Sequence, residues 1–373
     1  MSFQPIFSLD ISLVYILLIP LCLAIIVKPT KTEDSAMIKC NRSVEDVTHL
    51  VAKTPLVKLQ NLSALIGCKV YAKVEAFNPS NSAKDRSALY MIEQAEKKGL
   101  IKAGDTIIEA TSGNMGFSVA MICAIKGYKC VLTVKNSSSK EKLAMLKAMG
   151  AKIVLCPADV DSQDPNSYYK KAEKLSVELE NAYYLNQNYN TENAMAHYTS
   201  TGPEIWEQTD GKVSHYICCG GTCGTLVGTG RYLKQQNENV QIIGVDAYGS
   251  ALKKFHDQEI YDKDEVYPKK VEGLGKDIIP ANYDRTVIDE FIKVTDKESA
   301  LRAREICKTE GLFIGYSSGS TCEALLQLNG RFKEDDVVVL LFSDHGSRYL
   351  SKIYDDEWME AQGFIRSRKL AAV

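Results

Sequence analysis

Eleven cysteines contain no Cys-x-x-Cys pair, so the ligand spacing of a zinc site is missing and no metal is expected. The cysteines are odd in number and irregularly spaced, and Cys123, Cys130, Cys156, Cys218 and Cys219 lie inside apolar runs. They read as buried thiols in a reducing compartment rather than as a disulfide framework. Charge of one sign is also lacking. The net charge is -2 over 373 residues and the basic residues form no stripe, which argues against a nucleic-acid partner. No Gly-Lys-Ser/Thr closes a glycine-rich loop, which excludes a Walker phosphate loop. Internal repeats and low-complexity linkers are absent too.

One long apolar run is present, residues 11–27, broken only by Ser12 and Pro20. It approaches the roughly 18–20 residues that span a bilayer. No Lys or Arg precedes it, while Lys28, Lys31, Lys39 and Arg42 follow it. A secretory signal would need a basic start. The reading is an N-terminal extension, residues 1–36, whose segment 11–27 anchors a body facing the cytosol. Without the anchor the chain reads as cytoplasmic.

From about residue 45 short β-rich runs alternate with amphipathic helical patterns. Strands are expected at residues 70–74, 106–110, 130–134, 152–156, 216–219, 241–246 and 337–342, with helices at 117–126, 140–149, 167–179, 226–235, 297–310 and 320–328. Such alternation predicts an α/β fold with parallel-rich sheets flanked by helices. The length suggests two lobes. Residues 367–373 read as a tail.

Parallel sheets bind ligands beyond the C-terminal ends of their strands, which directs attention to the loops there. Asn78-Pro-Ser-Asn-Ser-Ala-Lys84-Asp-Arg86 joins a strand-like run to a helical pattern. Lys84 falls at the helix start, where the dipole disfavours an ammonium, and a lysine of lowered pKa can act as a base or form a Schiff base. Thr111-Ser-Gly-Asn-Met-Gly116 opens the helix after the strand at 106–110, and its small residues suit a carboxylate. Gly220-Gly-Thr-Cys-Gly-Thr225 offers bare amides and two hydroxyls at another helix start, as a phosphate cradle does. Gly315-Tyr-Ser-Ser-Gly-Ser-Thr321 and Ser343-Asp-His-Gly-Ser-Arg348 are weaker candidates. A dinucleotide site is the first rival, because Asp246 ends the next strand at the ribose-binding distance, but the glycine spacing departs from Gly-x-Gly-x-x-Gly. A Schiff-base lysine, a phosphate cradle and a carboxylate loop together describe pyridoxal phosphate catalysis on an amino acid.

With Thr54-Pro-Leu-Val-Lys-Leu59, Thr201-Gly-Pro-Glu-Ile-Trp206 and Glu272-Gly-Leu-Gly275 added in their order, the chain resembles the fold type II pyridoxal phosphate enzymes, in particular the cysteine synthase and cystathionine β-synthase group. The resemblance runs from about Val44 to Phe364. It implies a catalytic domain over 37–366, with a smaller mobile subdomain at roughly 85–190, and a homodimer. It implies that Lys84 bonds the cofactor, that Asn114 meets the ring hydroxyl, and that Gly221, Thr222, Cys223, Gly224 and Thr225 hold the phosphate. Ser317 would face the ring nitrogen. Thr111, Ser112, Asn114 and Met115 would bind the substrate carboxylate, with Gln187 nearby. The expected reaction is β-replacement on serine, O-acetylserine or O-phosphoserine by a thiol or sulfide, giving cysteine or cystathionine. The alternative is a β-lyase releasing sulfide or ammonia from cysteine or serine. Three positions depart from the group: Met115 replaces a threonine, Cys223 a glycine, and Asn188 an aromatic. Tyr316 and Lys276 occupy positions that vary with substrate.

Overall fold

The structure is a computed structural model that describes residues 43–111 and 113–366. A unit boundary falls after Val44, and the elements described below all belong to the unit that begins at Glu45. The segment 11–27 lies outside the described residues. Among the described residues no helix is long and apolar enough to cross a membrane.

Two sheets carry the fold. Strands β1 (Leu56–Lys58), β2 (Lys69–Val74), β7 (His215–Cys219), β8 (Gln241–Ala247), β9 (Glu290–Val294) and β10 (Val337–Phe342) form a six-stranded sheet of order β1-β2-β10-β7-β8-β9. Strands β3 (Thr106–Ala110), β4 (Lys129–Lys135), β5 (Lys152–Cys156) and β6 (Ala182–Tyr184) form a four-stranded sheet of order β5-β4-β3-β6. Every pairing is parallel except that of β1 with β2. Every residue of β3 and β10 is buried, as strands covered by helices on both faces must be. The helix Asn114–Lys126 is buried from Met115 to Cys123, which makes it the central helix of the smaller sheet's core.

The expected parallel-rich α/β architecture is therefore present, with helix and strand limits shifted by a residue or a few. The helix expected at 320–328 begins at Tyr316 and that at 117–126 begins at Asn114, so two candidate loops already belong in part to helix starts. Strands β1, β6 and β9 were not foreseen. Two of them are only three residues long, and β9 carries Glu290 and Lys293, which blur its apolar signal.

Candidate active site

Lys84 is the first residue of the helix Lys84–Lys97. Its approach is fixed on both sides. Asn81 takes a left-handed φ of 59° that asparagine tolerates. The Ala83 amide donates to the Ser343 carbonyl at 2.9 Å, tying the turn to the end of β10. Next in the chain, the buried Asp85 carboxylate accepts from the Ser80 amide at 2.7 Å and the Ser118 hydroxyl at 2.6 Å. The Lys84 amine itself faces the interior of a cavity of about 580 Å³. Among the described residues it has no hydrogen-bond or ion-pair partner. Its pKa is lowered chiefly by burial, with a smaller push from the neighbouring Lys276 ammonium, against the opposing pulls of Cys218, Asp344 and Glu75. Burial, rather than the helix dipole invoked from sequence, is the main cause.

Arg86, two residues on, points away into a buried ion network. Its Nε donates to Glu75 Oε2 at 2.7 Å, Nη1 to Glu204 Oε1 at 2.7 Å, and Nη2 to Thr54 Oγ1 at 2.9 Å. Lys73 completes the set, with Nζ 2.6 Å from both Glu204 Oε2 and the Thr54 carbonyl. Three separate sequence motifs, those holding Thr54, Arg86 and Glu204, thus meet at one point beneath the Lys84 turn. Two cations balance two carboxylates there, which is what makes burial tolerable.

The loop after β7 leads into the helix Gly224–Gln236. It is too tightly packed for side chains at its glycines: a Cβ at Gly221 would lie 2.6 Å from the Gly273 carbonyl oxygen, and one at Gly224 2.3 Å from Asn193 Oδ1. Cys223 adopts φ 62°, a left-handed conformation that explains why glycine would be the easier residue there. The Thr222 hydroxyl accepts from Asn193 Nδ2 at 3.0 Å. The Thr225 hydroxyl lies 3.1 Å from His197 Nε2, which is also 3.0 Å from the Ser87 hydroxyl. Burial, with Lys84 and Arg86 nearby, holds His197 well below its ordinary pKa, so it is a neutral hydrogen-bonding ring.

The loop after β3 brings Thr111, Gly113, Asn114 and Met115 to the same cavity. The Gly113 amide donates to Thr111 Oγ1 at 3.2 Å. Asn114 Nδ2 donates to Asp344 Oδ2 at 2.8 Å, and Tyr349 donates to the same oxygen at 2.8 Å. Gln187 donates from Nε2 to Glu109 Oε1 at 3.1 Å. Glu109 is fully buried in β3, and burial pushes its pKa up to about 8 against the hydrogen bonds from Gln187 and the charge of Lys276. Ser317 sits in the first turn of the helix Tyr316–Gln327, its carbonyl accepting from the Cys219 thiol at 3.1 Å.

Of the residues expected from sequence, Lys84, Thr111, Asn114, Met115, Gln187, Gly221, Thr222, Cys223, Thr225 and Ser317 line this one cavity. Gly224 lies behind the lining, against Asn193, and Ser112 is outside the described residues. Sequence reasoning did not find Glu109, His197 or Asn193, and it reached Asp344 only within the weaker candidate loop Ser343–Arg348. A signal existed for Glu109: it is the one carboxylate in the otherwise uncharged strand Thr106-Ile-Ile-Glu-Ala110. None existed for His197, whose partners come from three separate helices.

Comparison with known proteins decides the class. The family described as "Pyridoxal-phosphate dependent enzyme" matches residues 47–344. This chain belongs to that family. Its cofactor is pyridoxal phosphate, and it groups with the cystathionine β-synthases and cysteine synthases. The chain is 42% identical to a cystathionine β-synthase of Apis mellifera over 323 residues, covering 86% of this chain and 63% of that one. It is 38% identical to cysteine synthase 3 of Caenorhabditis elegans, covering 84% of this chain and 90% of that one. A solved hydrogen sulfide-producing enzyme from Fusobacterium nucleatum is similar with a TM-score of 0.76 and 35% identity, over 83% of this chain and 100% of that one. The chain spans 58–66% of the length of the cystathionine β-synthases it matches.

Proposed function

We propose that this enzyme performs β-replacement on serine or an activated serine, O-acetylserine or O-phosphoserine, with a thiol or sulfide as the incoming group, giving cysteine or cystathionine. The observation that carries the reading is the convergence of an unpartnered amine, a bare-amide helix start and a hydroxyl-rich loop on one cavity. The similarity to cystathionine β-synthases and to a cysteine synthase supports the same chemistry.

The residues suit the cofactor. The Gly221 position leaves no room for a Cβ, so its backbone can approach a ligand closely. When bound, pyridoxal phosphate supplies an aldehyde that captures an amine covalently and a conjugated ring that accepts electron density from the α-carbon. On this reading Lys84 holds the aldehyde carbon. Gly221, Thr222, Cys223, Gly224 and Thr225 hold the phosphate through amides and hydroxyls at the helix start. Asn114 would hold the ring hydroxyl and Ser317 would serve the ring nitrogen. A serine hydroxyl places no negative charge there, which favours loss of the β-group over transamination. Thr111, Ser112, Asn114 and Met115 bind the substrate α-carboxylate, with Gln187 beside them. The lowered pKa of Lys84 leaves more of its amine neutral, ready to take the α-proton once displaced. Residues at roughly 85–190 form the smaller subdomain, and its closure excludes water.

A second reading, a β-lyase releasing sulfide or ammonia from cysteine or serine, is favoured by the similarity to the hydrogen sulfide-producing enzyme. Product analysis separates the two. The cofactor-loaded protein is given serine, O-acetylserine, O-phosphoserine or cysteine, each with and without sulfide or homocysteine. Formation of cysteine or cystathionine that needs Lys84 supports replacement. Sulfide or ammonia without an amino-acid product selects the lyase, and no turnover with any pair contradicts both. The proposal includes a homodimer, tested by sedimentation. It also includes anchoring through 11–27 with the body cytosolic, which release from membranes by carbonate would contradict.

A further inference from the structure

The cavity wall is unevenly charged. Seven lysines line it against a single carboxylate, Glu272. That carboxylate is already shared, because Lys142 and Lys352 both pair with it. Three of the remaining lysines, Lys135, Lys269 and Lys276, are partly buried. Among the described residues none of the three has a carboxylate within ion-pair distance.

What they touch instead is uncharged. Lys135 lies over the Tyr168 ring at 5.1 Å and Lys276 over the Tyr169 ring at 5.9 Å. Those two rings are themselves 4.0 Å apart, so the tyrosines hold both ammoniums on one patch. Lys276 Nζ is 3.4 Å from the Tyr169 hydroxyl, and Lys269 Nζ donates to the Gly249 carbonyl at 3.4 Å. Lys269 senses the other two, whereas Tyr169 and Asp277 favour the charged form of Lys276. Burial lowers the pKa of Lys269, Asp277 and Asp246 pull it back, and Lys276 and Lys135 add repulsion. Gathering partly desolvated like charges is unfavourable unless an anion joins them.

The other anions expected in this cavity have their own partners. The cofactor phosphate has bare amides and hydroxyls at a helix start. The substrate α-carboxylate has the Thr111 loop. Resting on the β-replacement reading above, we infer that Lys135, Lys269 and Lys276 bind a second anionic group carried by a substrate. It is either a phosphate on the departing oxygen of the donor or a carboxylate on the incoming thiol. Lys276 is the specificity-determining member, since it lines the same cavity as Lys84 and is held by both the ring and the hydroxyl of Tyr169.

The test compares charged and neutral substrates on the cofactor-loaded enzyme. In the donor arm, O-phosphoserine is set against serine and O-acetylserine. In the thiol arm, homocysteine and mercaptoacetate are set against sulfide and mercaptoethanol. Both kcat/KM and the dissociation constant from the cofactor absorbance are read. One arm should show a preference for the anion of roughly 10- to 100-fold, the worth of a hydrogen bond to a charged group. Lys276→Met and Lys269→Met should each shrink that ratio about tenfold, and added salt should shrink it in the parent enzyme. Cofactor content should not change in either variant. No anion preference in either arm overturns the inference, as does loss of cofactor from the variants, which would assign the lysines to the cofactor phosphate. Tighter binding of O-phosphoserine than serine without turnover would support the anion site while contradicting the proposed reaction.

Discussion

Replacing Glu109 by glutamine should remove a pH dependence of stability that the parent enzyme carries. Glu109 is fully buried and its pKa is pushed up to about 8 from 4.5, chiefly by burial. In the unfolded chain the carboxyl loses its proton near its ordinary value. Between those two pKa values the folded state binds one more proton than the unfolded state, so stability falls as pH rises through this window. The slope is about 1.4 kcal/mol per pH unit at most, for a total on the order of 3–5 kcal/mol between pH 4.5 and 8. Glutamine keeps a neutral acceptor for Gln187 Nε2, now 3.1 Å from Oε1, and never ionises. Urea unfolding of both proteins at pH 5, 6, 7 and 8, at equal saturating cofactor, measures the difference directly. The parent should lose stability relative to Glu109→Gln by several kcal/mol across the series. A difference between the two proteins that does not change from pH 5 to 8 would refute a protonated Glu109.

Arg86→Met should cost about 3–5 kcal/mol in chemical unfolding, because it leaves Glu75 buried without its ion-pair partner and the half-buried Glu204 with Lys73 alone; a loss under about 1 kcal/mol would contradict the network's role. Gly221→Ala places a methyl group 2.6 Å from the Gly273 carbonyl oxygen and should weaken cofactor binding roughly tenfold or more by equilibrium dialysis, since overpacking costs about 1–3 kcal/mol. His197 is held well below its ordinary 6.5, so the unfolded chain takes up a proton there that the folded chain refuses. Stability should therefore fall as pH drops below 6.5. His197→Gln should gain melting temperature relative to the parent as pH falls from 7 to 5, and a difference that stays constant over that range would place the acid sensitivity elsewhere.

Much of the fold was legible because its strands are covered on both faces. Val337–Phe342 is six apolar residues in a row, all buried, and such runs announce themselves. The three unforeseen strands are short or carry charges, and their identity comes from the neighbours they pair with rather than from their own pattern. The site was legible where local chemistry is written in consecutive residues, as in the loops after β3 and β7 and in the turn before Lys84. It was not legible where distant segments meet. The Arg86 network joins Thr54, Lys73, Glu75 and Glu204, and the cationic wall joins Lys135, Lys269 and Lys276. No spacing rule connects such positions before the chain is folded. The cause of Lys84's lowered pKa was misassigned for the same reason: a helix start is visible in sequence, whereas burial is a property of the finished cavity.

The most direct test of the account is the visible absorption spectrum of the purified protein, alone and with each donor added, for the parent and for Lys84→Ala. The protein should be yellow, with a long-wavelength band that changes with at least one of serine, O-acetylserine, O-phosphoserine and cysteine. In Lys84→Ala the covalent-lysine band should be absent and turnover lost. A colourless parent that pyridoxal phosphate cannot reconstitute, or a Lys84→Ala protein that keeps the parent's spectrum and turnover, would contradict it.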